Sequence, residues 1–242
     1  MTSYFIKPEV TSNFILIIAA IIPAVLLMIK VYKSDRLEKE SSRLLWSLVK
    51  AGILSSLLAL VEERILIYFL DSALDSKSLA YNIILNFIIV AGAEESSKYI
   101  FMKRKTWRSF EFDSKFDAVV YATFVSLGFA LWENISYVLS YGFATAIVRA
   151  LTAVPGHACF GVFMGIFYGI AKRYDIKGNK SMSGLFRWFS IIFPALLHGT
   201  YDFIASMGNE VSGLYFLGFV AVLFIVSYIL VNKTSKNDEY IQ

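Results

Sequence analysis

Long apolar runs separated by short polar loops set the pattern of this chain, at residues 14–28, 44–61 with an extension toward 70, 79–102, 118–141, 142–171, 186–206 and 213–231. A membrane-spanning helix needs about 20 apolar residues at ~1.5 Å each. The pattern therefore predicts an all-α membrane protein, a polytopic bundle of about seven transmembrane helices. The fifth run is longer than a span needs, and Arg149, Pro155 and Gly156 mark it for a tilt, a break or a partly re-entrant path.

The charges in the loops alternate. Lys30, Lys33, Arg36, Lys39 and Arg43 follow the first run; Lys103, Arg104, Lys105, Arg108 and Lys115 follow the third. Lys172, Arg173, Lys177, Lys180 and Arg187 follow the fifth, and Lys233 and Lys236 the seventh. Lysine and arginine accumulate in cytoplasmic loops, so the N-terminus is expected outside and the C-terminus in the cytoplasm. The first run has its positive charge after the apolar stretch, the reverse of a cleavable signal peptide, and reads as a retained span. No linker or internal repeat interrupts the chain. One helical domain over 1–242 is expected, in the cell membrane as a multi-pass protein.

Composition agrees: 57% of the 242 residues are hydrophobic, 17% charged, and the mean hydropathy is +0.61. A net charge of +4 is modest and gives no reason to expect nucleic acid as a partner. The one cysteine, Cys159, rules out an intramolecular disulfide and is expected to pack as a small hydrophobe.

Several charges fall inside the apolar runs. Glu94, Glu95 and Lys98 lie in the third, Glu133 and Asn134 in the fourth, His157 in the fifth, and His198 with Asp202 in the sixth. His157 and His198 are the two histidines of the protein. Ionisable groups at membrane depth are costly and are retained where they face a cavity or one another. Counting along alternating spans puts these residues in one layer near the bilayer midplane. Glu94 and Lys98 are i, i+4 neighbours, as are His198 and Asp202, so Lys98 can neutralise one acid and Asp202 can orient His198. Adjacent Glu94 and Glu95 point about 100 degrees apart, and the spacing leaves open which one faces the cavity. His157, Gly161, Gly165 and Gly169 share one helix face, a small-residue packing seam that turns His157 into the bundle. A rival cluster, Glu62, Glu63 and Arg64, reads as a helix end at the outer headgroups, with Glu62 and Glu63 kept in reserve as site candidates.

Glu94-Glu95-x-x-Lys98, Phe129-x-x-x-Glu133-Asn134, the intramembrane His157 and His198-x-x-x-Asp202, in this order on successive spans, resemble the PrsW family of intramembrane proteases. That family is related to the CAAX-processing and bacteriocin-processing (CPBP) membrane proteases. The likeness covers about 79–206, and the first two spans and the last carry no matching motif. It implies a glutamate-dependent intramembrane endopeptidase. The best-known member of the family makes the first cut in a membrane-bound anti-sigma factor.

The residues permit that chemistry. Glu94 or Glu95 serves as the base for water, Glu133 shares in positioning it, and His157 and His198 are candidate oxyanion donors or leaving-group acids. Lys98, Phe129, Asn134 and Asp202 support them. The expected partner is a single-span membrane protein substrate within the lipid bilayer. No cofactor is expected. A zinc ion is the variant reading, with His157, His198 and Glu133 as ligands. His-Glu-x-x-His, Gly-x-Gly-Asp and Gly-x-Ser-Gly, the marks of other intramembrane protease classes, do not occur in the sequence. An ion- or proton-coupled transporter using the same residues is the alternative function, and a membrane scaffold a third; no inverted repeat supports the transporter.

Overall fold

The computed structural model describes residues 8–241, with side chains from residue 14 onward. The chain forms helices α1 (Pro8–Ser34), α2 (Ser42–Ala73), α3 (Leu79–Ile83), α4 (Ala91–Thr106), α5 (Lys115–Tyr141), α6 (Phe143–Leu151), α7 (Ala153–Ile176), α8 (Lys180–Ser206) and α9 (Glu210–Lys236). Among the described residues no strand is present, and one isolated bridge joins Ser114 to Tyr240. Five segments are long and apolar enough to cross a membrane: Phe14–Ser34, Ser42–Ala73, Lys115–Tyr141, Phe143–Ile176 and Glu210–Lys236. The run from α3 to α4 and helix α8 carry the charged motifs that lower their apolarity.

Helix α5 is the axis of the bundle. Every residue from Phe116 to Ala130 is buried, the pattern of a helix surrounded on all sides. It starts at a capping box in which Ser114 and Asp117 satisfy each other's exposed backbone groups. Helix α7 packs on one side of α5 through the predicted glycine seam. A Cβ at Gly165 would lie 2.5 Å from Ala118 O, and one at Gly161 would lie 2.8 Å from Ser126 Oγ. Helix α2 packs on another side, where Gly52 faces Val125 O and Gly128 faces Val49 O at distances that exclude a side chain. Without a hydrophobic drive between helices in lipid, such close backbone approach supplies the packing energy.

The third expected span is not one regular α-helix. Residues Ile84–Val90 form π-helical turns between α3 and α4, and there Phe87 packs directly on Gly199 of α8, where a Cβ would meet its ring at 2.6 Å. Wide turns of this kind concentrate at functional sites because they turn the residues that follow. The fifth run breaks at Thr152 into α6 and α7. Pro155 lies in the first turn of α7, where a missing N–H loses no helical bond.

The basic loops meet at one end. Ser41 bonds Glu111, Ser235 donates to Ser34 O, and Lys172 Nζ donates to Trp107 O at 2.9 Å. The same end buries acids without partners: both carboxylate oxygens of Asp35 and of Glu40 are sequestered and unbonded. Burial, reinforced by the nearby Asp117 carboxylate, raises Asp35 to about 6 and Glu40 to about 9. A carboxyl with a raised folded-state pKa binds more protons in the folded than in the unfolded chain, so stability falls as pH rises through the window between the two values. Stability should therefore decline with rising pH, through Asp35 between about pH 4 and 6 and through Glu40 between pH 4.5 and 9, and a falling melting temperature records it. Melting curves of Glu40→Gln should be flatter over pH 6 to 9 than those of the parent.

Candidate active site

The predicted layer of polar residues converges. At its centre is the Lys98 ammonium, fully buried, with Nζ 2.7 Å from Glu95 Oε1, 3.2 Å from Glu94 Oε2 and 3.1 Å from His157 Nδ1. Phe129 supports it from α5, with Nζ 4.0 Å from the ring centroid. An ammonium has donors only, so His157 Nδ1 accepts and its proton sits on Nε2, 2.8 Å from Glu133 Oε2. His157 is thereby a neutral imidazole donating to Glu133.

His198 is placed differently. Its Nδ1 lies 2.9 Å from Glu95 Oε1 and its Nε2 3.2 Å from Asp202 Oδ2. Both ring nitrogens face carboxylate oxygens, and an imidazolium satisfies both contacts. Phe160 stacks on this ring at 4.8 Å, and the two imidazoles meet edge to face at 5.2 Å. The i, i+4 pairing of His198 with Asp202 expected from the spacing is present.

A cavity of about 690 Å³ opens beside the cluster, lined among others by Glu63, Glu94, Glu133, His157, His198 and Asp202. Glu94 lines it, whereas Glu95 is fully buried behind it and grips Lys98 and His198. The adjacent carboxylates are thus separated by a helix rotation: one meets the cavity, the other anchors the charges. Asn134 does not reach the cluster. Its Nδ2 donates to Ala20 O at 2.9 Å, tying α5 to α1, and its Oδ1 accepts from Arg149 Nε at 3.1 Å.

The donor atoms of Glu94, Glu95, His157 and His198 lie within 4.8 Å of one another. Two imidazole nitrogens and two carboxylate oxygens are a zinc-type donor set, and Glu95 Oε2 is buried without a partner. The residues fit such an ion, provided the Lys98 ammonium moves out of their midst. The expected ligand Glu133 is not in this group: it meets His157 on the opposite ring nitrogen, where it would orient a ligand instead of being one.

Comparison with known proteins fits this geometry. The family model described as PrsW family intramembrane metalloprotease matches residues 40–231. The chain belongs to the PrsW family. Protease PrsW of Oceanobacillus iheyensis is 31% identical over 220 residues, covering 90% of this chain and 95% of the relative. Protease PrsW of Geobacillus kaustophilus is 34% identical over 212 residues, covering 87% and 88%, and that of Bacillus subtilis is 32% identical over 213 residues, covering 87% and 91%. No solved structure matches. This PrsW-family chain is therefore an intramembrane protease, a hydrolase built from membrane-embedded helices.

Two further residues line the cavity. Glu63 is a reserve candidate in the sequence, where a helix end at the headgroups is the favoured reading, but α2 continues to Ala73 and Glu63 lines the cavity. Ser97 Oγ, next to Lys98, donates to Glu62 Oε2 at 3.3 Å. In the sequence Arg149 reads as a sign of irregularity in the fifth run. Instead its Nη2 lies 2.9 Å from Glu133 Oε2, and its guanidinium stands 4.0 Å over the Tyr137 ring. Its i−15 partner Asn134 lies on another helix, so no local pattern announces the contact. Arg149→Met should release Glu133 and lower kcat about tenfold or more, the worth of one charged contact. Partial recovery in Arg149→Lys, followed by cleavage rate, checks that the charge is what matters.

Proposed function

We propose that this protein hydrolyses a peptide bond of a single-span, membrane-anchored protein of the anti-sigma-factor kind, in the cell membrane, using water activated by Glu94. The observation that carries the reading is the division of labour between the two glutamates: Glu94 borders the cavity while Glu95 is committed to Lys98 and His198. In this mechanism the Glu94 carboxylate takes a proton from water as the oxygen attacks the scissile carbonyl. The oxyanion that forms is stabilised by the positive charge of the His198 ring, whose two N–H groups stay on Glu95 and Asp202. The proton held by Glu94 then passes to the leaving amine as the C–N bond breaks, which restores the carboxylate. Glu133, clamped between Arg149 and His157, positions water and holds His157 in its tautomer. The family resemblance and the place of the site among membrane-spanning helices support this substrate class.

The zinc reading has specific support in the four-residue donor set and in the description of the family. Glu94, Glu95, His157 and His198 would hold the ion, which would supply Lewis-acid polarisation of a carbonyl or water. The transporter alternative finds no support in the comparisons.

The test reconstitutes the purified protein with a single-span substrate. A single cleavage within or beside the span supports the reading, and an intact substrate overturns it. Elemental analysis and chelator treatment of the same sample separate the two chemistries. A stoichiometric metal with chelator-sensitive activity selects the zinc version, and metal-free activity selects the glutamate version.

A further inference from the structure

A second cavity, of about 510 Å³, lies between α7 and α9 at the basic end of the bundle, away from the catalytic cluster. Its lining changes character along one face of α7. Ile166 and Ile170 line its apolar part, and Arg173 and Lys177 continue the same face at i+3 and i+4 steps. From Ile166 to Lys177 the face extends ~16 Å at ~1.5 Å per residue. Lys115, from the start of α5, adds a third cation, and Thr234 of α9 closes the far side with a hydroxyl.

Counter-charge is incomplete. Glu239 pairs with Lys115 and lies 3.9 Å from Arg173, and its own side chain is more than half exposed. Asp175, the nearest acid on α7, is taken by Lys180 at 2.8 Å. One carboxylate thus pairs with two of the three cations, in a cavity that is apolar at one end. Phosphate and ester groups need the basic end, and a hydrocarbon chain needs the isoleucine end. Basic pockets between membrane helices at a polar boundary recognise anionic head groups for this reason.

We propose that this cavity binds one anionic phospholipid, with its phosphate against Arg173, Lys177 and Lys115 and an acyl chain along Ile166 and Ile170. The lipid would bridge α7 and α9. Most of the α9 surface is exposed, with five of its residues buried, so a bound lipid adds contacts where the helix has few of its own.

The full chain in nanodiscs of phosphatidylcholine, with or without phosphatidylglycerol, tests the site by mass spectrometry of retained lipid. Wild type should retain one phosphatidylglycerol in preference to phosphatidylcholine. Arg173→Gln/Lys177→Gln should weaken retention by about fivefold per cation lost, whereas the exposed pair Arg104→Gln/Lys105→Gln should retain lipid like wild type. Ile170→Trp fills the chain slot with every cation kept, and should also release the lipid. Equal retention of both lipids, equal loss in both charge variants, or undiminished binding in Ile170→Trp overturns the proposal. So does displacement by equimolar inorganic phosphate, which would reduce the site to an anion patch.

Discussion

Glu94→Gln is expected to lower the cleavage rate by about a hundredfold to ten-thousandfold, the usual contribution of a positioned general base, while the protein stays folded. The amide keeps the shape of the carboxyl and leaves Glu95 to balance Lys98, so the melting temperature should change little. Glu95→Gln should behave otherwise. That side chain is fully buried and bonds both Lys98 and His198, so its loss should lower stability together with activity. Cleavage assays and melting curves on the two variants measure the difference. Full activity in Glu94→Gln would remove the proposed base. Equal melting losses in the two would contradict their separation into a cavity group and an anchoring group.

Lys98→Met should be among the most destabilising substitutions in the chain. The ammonium is fully buried and touches two carboxylates and an imidazole. Removing it leaves Glu94 and Glu95 side by side with the His198 ring as their one remaining cation, a loss on the order of 3–5 kcal/mol for a broken buried pair. His157 Nδ1 would lose its donor as well, freeing the tautomer that now directs a proton to Glu133. A second change, Glu95→Gln on the Lys98→Met background, removes one of the stranded charges and should recover part of the loss. The non-additivity of the two substitutions, measured by denaturant or thermal unfolding in detergent, gives the coupling between them. Wild-type stability in Lys98→Met would show that the ammonium is not what compensates the acids.

Both predictions turn on helix rotation, which separates the legible from the illegible in this chain. Periodicity places Glu94 and Lys98 on one face and His198 and Asp202 on another, and both pairs form as the spacing requires. The glycine series after His157 likewise packs where it should, against α5. Periodicity fixes faces relative to one another within a helix. It does not set how the whole helix is turned about its axis, because that depends on what packs against it. The π-helical turns at Ile84–Val90 and the seat of Phe87 on Gly199 come just before Glu94 and Glu95, and such packing sets their orientation.

The sequence by itself determined the solvent, the helical class, the alternation of basic loops and the set of polar residues that must share a depth. Each of these depends on composition or on neighbours within a few residues, where local physics suffices. Only the tertiary structure decided that Glu94 borders the cavity and Glu95 does not, that Glu133 serves His157 from the side away from Lys98, and that Glu63 and Arg149 belong to the site. Those contacts join residues of different helices, from 15 apart for Arg149 and Asn134 to 103 apart for His198 and Glu95. Their geometry follows from how each whole helix is turned and seated against its neighbours, which no pattern along a single helix encodes.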